Sequence, residues 1–257
     1  MKLTLSLAQI PVVNSKPEEN LKKAEKLIAE AKKKGSRLIC FPEMWTTGLS
    51  WFSDKGLLKN SAAVMERVAA MARRNSIWIN GSMLALNEKG KPTNASVLFD
   101  DKGKSAGVYR KIHLFGPLGE DKHMAAGDSL CAADTPWGLF GLSICYDIRF
   151  PEIFRAYALQ GVKVILCPAA FPKERIADWK GLLRARAIEA QVFMAGINRI
   201  GGEEVGAAGR VEYGGSSAVI GPGGETVSEA SERQEELLTA TIDTAEVEKA
   251  RVGLCGF

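Results

Sequence analysis

Residues 142–152 read LSICYDIRFPE, a largely apolar run that stops at a cysteine. Cys145 is followed at once by Tyr146, Asp147 and Arg149, then by Pro151 and Glu152. Unpaired cysteine is among the most buried residue types, so a core thiol at a strand end is one reading. The other is a nucleophile, which needs a base or a positive field to remove its proton. His113 and His123 could each serve as that base. A carboxylate base with a lysine beside it is the alternative, and Glu43 and Lys111 are placed for it. Glu43 closes the segment LICFPE, directly after an apolar strand, where burial makes a carboxylate a better base. Lys111 lies in YRKIH, just past another strand.

Other chemistries find less support. The chain has two histidines and no HxxxH or HExxH pattern, so no metal site is expected. GKS at 103–105 lacks the glycine of a phosphate loop five positions earlier, where Leu98 stands, and reads as a hairpin turn. GPGGE at 221–225 follows one strand and precedes another, which again predicts a turn. The GxSxG motif of serine hydrolases is absent.

These residues need elements to carry them. Leu3, Leu5 and Leu7 alternate with polar residues, as in a strand. Leu21, Ala24, Leu27, Ile28 and Ala31 recur at helical spacing over Pro17–Lys34, and Gly35 terminates the helix. Strands are predicted over 38–41, 77–80 and 95–99, and another ends near Tyr109. Helices are predicted over 62–74, 152–160 and 178–191. Further strands fall at 139–144, 162–167, 192–197, 217–220 and 237–242, while 114–135 reads as a long irregular stretch, which is usually functional or disordered. Three strands end alike, in LICFPE, LSICYD and VILCPA. Each delivers a polar or proline-containing segment beyond its carboxyl end, where α/β proteins assemble sites. With no linker or composition shift, 1–257 reads as a single α/β domain with mixed sheets.

Bulk composition narrows the partners. Hydrophobic residues make up 46% and charged residues 25%, an ordinary globular balance. Net charge is +4, and the one dense basic run, Lys32 to Lys34, falls at a helix end, where cations complement the helix dipole. Nucleic acid is not implied. Five cysteines with no CxxC pair fit a reducing compartment rather than a disulfide framework. No apolar run approaches the roughly 20 residues that span a bilayer. A cytoplasmic protein without a membrane partner is expected.

Three segments taken together resemble the nitrilase or carbon–nitrogen hydrolase superfamily. They are Phe41-Pro42-Glu43, then Lys111-Ile112-His113-Leu114-Phe115, then Cys145-Tyr146-Asp147-Ile148-Arg149-Phe150-Pro151-Glu152. Downstream, RARAIEAQ at 184–191 and Asn198-Arg199 also match. The resemblance spans roughly residues 3–245, and CYDIRFPE is similar to the omega-amidase branch rather than to nitrilases proper.

That resemblance implies a four-layer α-β-β-α sandwich with two mixed sheets. It also implies a thiol hydrolase with no cofactor, working on a small-molecule amide and water, as a homodimer or larger assembly. Residue by residue, it makes Cys145 the nucleophile, Glu43 the base, and Lys111 with the backbone N–H of Tyr146 the oxyanion donors. Glu120 matches a second family glutamate that orients Lys111 or substrate. For an omega-amidase, Arg149 can fork onto the distal carboxylate, or else pair with Glu152 or Asp147. Phe115, Phe171 and Trp179 are candidate pocket walls. The stretch from Trp45 to Trp51, WTTGLSW, is expected to shape the same pocket.

Overall fold

The computed structural model describes residues 1–49 and 54–253. The chain opens with β1 (Lys2–Gln9), α1 (Pro17–Lys33) and β2 (Leu38–Cys40), and α2 (Lys55–Asn75) leads into β3 (Trp78–Leu86). β4 (Pro92–Phe99) and β5 (Ser105–Arg110) follow, then the short α3 (Glu120–His123), β6 (Ala132–Thr135) and β7 (Gly138–Leu142). Next come α4 (Pro151–Leu159), β8 (Val164–Ala169), α5 (Ile176–Ala190) and β9 (Phe193–Asn198). The hairpin of β10 (Ile200–Glu204) and β11 (Arg210–Gly214) precedes β12 (Ala218–Ile220), β13 (Thr226–Glu229), β14 (Glu236–Asp243) and α6 (Ala245–Gly253).

Two six-stranded sheets carry the fold, ordered β14-β1-β2-β3-β4-β5 and β13-β12-β9-β8-β7-β6. Each has three parallel strands at its centre, β1-β2-β3 and β7-β8-β9, with antiparallel strands outside them. Alternation along the strands explains the layering. Leu38 and Cys40 of β2 join the core between the sheets, whereas Ile39 and Phe41 join the core under α1 and α2. On the far side, Phe154 and Tyr157 of α4 and Trp179, Leu183 and Ala187 of α5 cover the second sheet. Close approach there requires glycine: a Cβ on Gly196 of β9 would lie 2.6 Å from Leu183. The α-β-β-α sandwich with mixed sheets is therefore present.

Several boundaries move. α2 begins at Lys55 rather than near Ala62, because the Asp54 side chain accepts from Gly56 N–H and caps the helix. The stretch 114–135 is not wholly irregular; it holds a 3-10 turn over Gly116–Leu118, α3 and β6. The hairpin of β10 and β11 had no apolar alternation to announce it. It is anchored instead by a buried polar cluster, in which Arg199 donates to Glu203 at 3.0 Å and Tyr213 donates to Glu203 at 2.7 Å. The turns expected at 103–105 and 221–225 do join β4 to β5 and β12 to β13. No described helix is long and apolar enough to cross a membrane.

Candidate active site

Topology brings the chemistry to one edge. β5 lies two antiparallel reversals from β3, so it again points the same way as β2 and β3. Glu43 just beyond β2 and Lys111 just beyond β5 therefore emerge on one side. From the facing sheet, β7 delivers Cys145 and β8 delivers Ala170. All four line one cavity of about 430 Å³.

Lys111 is 2% exposed and ties two carboxylates together. Its Nζ donates to Glu43 Oε1 at 2.8 Å and to Glu120 Oε2 at 2.7 Å. An ammonium has three protons, so one remains to face the cavity. Burial works to lower the lysine's pKa, but Glu120 and then Glu43 outweigh it, and the group is held well above its ordinary range as a cation. Glu43, 1% exposed, is also fixed by Asn94 Nδ2 at 2.8 Å and by the Ala170 N–H at 3.0 Å. The same Asn94 amide donates to Glu120 Oε1 at 3.0 Å, and the Phe115 N–H donates to Glu120 Oε2 at 2.7 Å. Glu120 thus orients the lysine through a direct bond.

The Cys145 thiol is 8% exposed and lines the cavity together with Glu43 and Lys111. Burial pushes it well above the ordinary thiol range, and the negative charge of Glu43 adds to this while Lys111 opposes it. The resting group is therefore a protonated thiol. Cys145 has φ +47°, a left-handed conformation that costs about 1–2 kcal/mol outside glycine. Asp147 holds this turn in place. Its buried carboxylate accepts from Ile144 N–H at 3.0 Å, Tyr109 Oη–H at 2.8 Å and His113 N–H at 3.0 Å. The cysteine turn is thereby tied to the segment around Lys111. Arg186 of α5 adds a bond from Nε to the Ile148 carbonyl at 2.8 Å.

The two histidines part company. His113 Nδ1 lies 2.9 Å from Asp147 Oδ1, and its ring stacks on Phe150 at 3.5 Å, so it braces the turn. His123 lines the cavity.

The cavity wall includes Leu49, Phe115, Leu118, Met124, Tyr146, Phe171 and Val205, with Arg149 and Arg175 also lining it. Phe171 is held in place by Asn198, whose Oδ1 accepts its N–H at 2.7 Å. Trp179 does not line the cavity. It is fully buried behind Phe171, ring centroids 5.3 Å apart, with Nε1–H donating to the Ser216 carbonyl. Its helical position turns it toward the sheet, so it backs the wall. Trp45 likewise belongs to the core, stacked on Phe41 at 4.5 Å. Of the remaining WTTGLSW segment, Leu49 reaches the cavity, while Ser50 and Trp51 lie outside the described residues. Arg149 pairs neither with Glu152 nor with Asp147; its Nη2 donates to Asp178 Oδ2 at 2.8 Å.

Sequence reasoning missed Asn94, Ala170, Asp178 and Arg175. A buried asparagine inside the strand segment PTNAS was the available signal for Asn94, because such a side chain needs polar partners. Among the described residues, no group of His, Cys, Asp and Glu is arranged to hold a metal ion.

The chain is similar to known amidases in sequence and in structure. The chain is 33% identical over 256 residues to a 2-oxoglutaramate amidase of Bacillus subtilis, covering 98% of this chain and 95% of that protein. An omega-amidase of Xenopus tropicalis is 32% identical over 252 residues, covering 94% and 89%. Among solved structures, a cysteine-to-alanine mutant of the amidase from Nesterenkonia sp. AN1, in complex with butyramide, superposes with TM-score 0.85 at 25% identity, over 99% of this chain and 95% of that one. The Carbon-nitrogen hydrolase family profile matches residues 4–252. A thiol, a carboxylate and a lysine meeting at strand ends of facing sheets, in a chain matched to that profile almost throughout, make this protein a carbon–nitrogen hydrolase, an enzyme that acts on amide C–N bonds.

Proposed function

We propose that the protein is an omega-amidase-like hydrolase, releasing ammonia from small amides that carry a carboxylate, such as 2-oxoglutaramate. The observation that carries this is one cavity lined by Cys145, by Glu43 bonded to Lys111, and by Arg149. Kinship with a 2-oxoglutaramate amidase and an omega-amidase supports the choice of amide.

The steps follow from the contacts. Glu43 takes the thiol proton as sulfur bonds to the amide carbonyl carbon. The oxyanion is met by the third Lys111 proton and the Tyr146 backbone N–H, a pre-arranged pair whose members are worth about 10²–10³ in rate each. Glu43 passes its proton to the leaving nitrogen, the C–N bond breaks, and ammonia departs from a Cys145 thioester. Glu43 then removes a proton from water. The hydroxide adds to the thioester, the C–S bond breaks, and the thiol recovers its proton. Arg149 takes the distal carboxylate of the substrate; Phe115 and Phe171 enclose its short chain.

An ammonia-release screen tests the substrate class. Across 2-oxoglutaramate, 2-oxosuccinamate, succinamate, glutamine, N-carbamoyl amines and simple nitriles, the dicarboxylate monoamides are expected to turn over fastest. Nitrile turnover without amide turnover would contradict the reading.

We also infer a homodimer or larger homo-oligomer acting in the cytoplasm. Support comes from the family resemblance and from the free thiols of Cys40, Cys131, Cys145 and Cys167. Light scattering on the purified protein is expected to give at least twice the 27.7 kDa chain mass; a single chain mass rules the assembly out.

A further inference from the structure

Three charged side chains meet at one side of the cavity. Arg149 and Arg175 both line it, and Asp178, in the first turn of α5, bonds to both through the same oxygen. The distances to Asp178 Oδ2 are 2.8 Å from Arg149 Nη2 and 2.7 Å from Arg175 Nη2. Arg149 is further steadied over the Phe171 ring, 5.6 Å from its centroid.

The charge count is what matters. Arg149 alone would be neutralised by Asp178 and would offer an incoming anion little net attraction. With Arg175 added, two guanidiniums share one carboxylate, which leaves one positive charge uncompensated within the cluster. Each guanidinium has five N–H donors in a rigid fork, and the bond to Asp178 uses one from each. Donors thus remain on both forks, held near each other by their common partner. Lys111 is already committed to two carboxylates, so this cluster is the better seat for a substrate anion.

We propose that Arg175 is a specificity-determining residue: with Arg149 it clamps the carboxylate of the substrate, while Asp178 holds the two guanidiniums in register. The clamp rests on the reading of the site as an amidase for carboxylate-bearing amides.

Succinamate and butyramide test it, because they share a chain length and differ by a carboxylate in place of a methyl group. The wild-type enzyme is expected to favour succinamate. Arg175→Gln is expected to shrink the succinamate-to-butyramide ratio of kcat/KM about 10- to 100-fold, the worth of a charge-assisted hydrogen bond, chiefly through the KM for succinamate. Arg175→Lys, which restores charge but not the fork, is expected to recover part of that ratio. The Arg175 side chain is 59% exposed, so neither variant threatens folding. A ratio that stays at the wild-type value in Arg175→Gln, yet collapses in Arg149→Gln, overturns the role of Arg175 and leaves the proposed function standing. Equal losses on both substrates would assign Arg175 a structural role and overturn the clamp. A wild-type enzyme with no preference for succinamate removes the carboxylate reading and the clamp together.

Discussion

Cys145→Ala abolishes ammonia release, with a loss of at least about 10⁴-fold, while the protein stays folded. Among the described residues that line the cavity, Cys145 is the only thiol, so the substitution removes the atom that forms the thioester. It removes little else. The Asp147 bonds that shape the turn come from Ile144, Tyr109 and His113, none of which involves the thiol. Alanine inherits the left-handed backbone at φ +47° and pays the same strain as cysteine. Melting is therefore expected within a few degrees of wild type, a shift on the order of 1 kcal/mol or less. Activity close to wild type in a folded variant would refute the thiol as nucleophile. The raised pKa of Cys145 adds a check. Because burial and Glu43 keep the resting thiol protonated, its alkylation by a neutral reagent should be slow at neutral pH and should accelerate only as the pH rises into the alkaline range.

Glu43→Gln should cost about 10²–10⁴-fold in kcat, the usual contribution of a positioned general base. Glutamine matches the shape but cannot accept the thiol proton or the water proton. It also disturbs the hydrogen bonding. Glu43 Oε1 accepts from Asn94 and Lys111, and Oε2 accepts from the Ala170 N–H. Wherever the new NH₂ group points, it faces a donor that previously had an acceptor. An unmet buried donor costs about 1–3 kcal/mol, so this variant should also melt at a lower temperature than Cys145→Ala. The pairing of a large rate loss with measurable destabilisation separates Glu43 from a residue that acts only in chemistry. A variant that keeps wild-type kcat would transfer the base role elsewhere, with cavity-lining His123 the next residue to test.

Glu43, Lys111 and Cys145 were legible because each lies just past the end of a strand, where α/β proteins assemble sites. Their meeting was not legible from local pattern, since it depends on β5 reversing twice and on two sheets facing each other. The family resemblance supplied that link, and it supplied Glu120. Asn94 was hidden inside a strand whose neighbours are small or apolar, and Ala170 contributes only a backbone N–H that any residue could offer. Arg149 illustrates a different limit. Its nearest acids in sequence, Asp147 and Glu152, are committed to the turn or placed away from it. The partner it finds, Asp178, is 29 residues away at the start of α5. Trp179, adjacent to Asp178, shows how one step along a helix rotates a side chain by about 100°, from the cavity side to the core. The β10–β11 hairpin escaped because polar bonds among Arg199, Glu203 and Tyr213 hold it, and periodicity reports only apolar faces.

The thioester on Cys145 is the claim on which the rest depends. Rapid acid quench of the enzyme during turnover of succinamate, followed by peptide mass spectrometry, measures it directly. The predicted result is a succinyl adduct confined to the peptide carrying Cys145, absent from Cys145→Ala under the same conditions. An adduct on another residue, or the same adduct persisting in Cys145→Ala, would contradict the account.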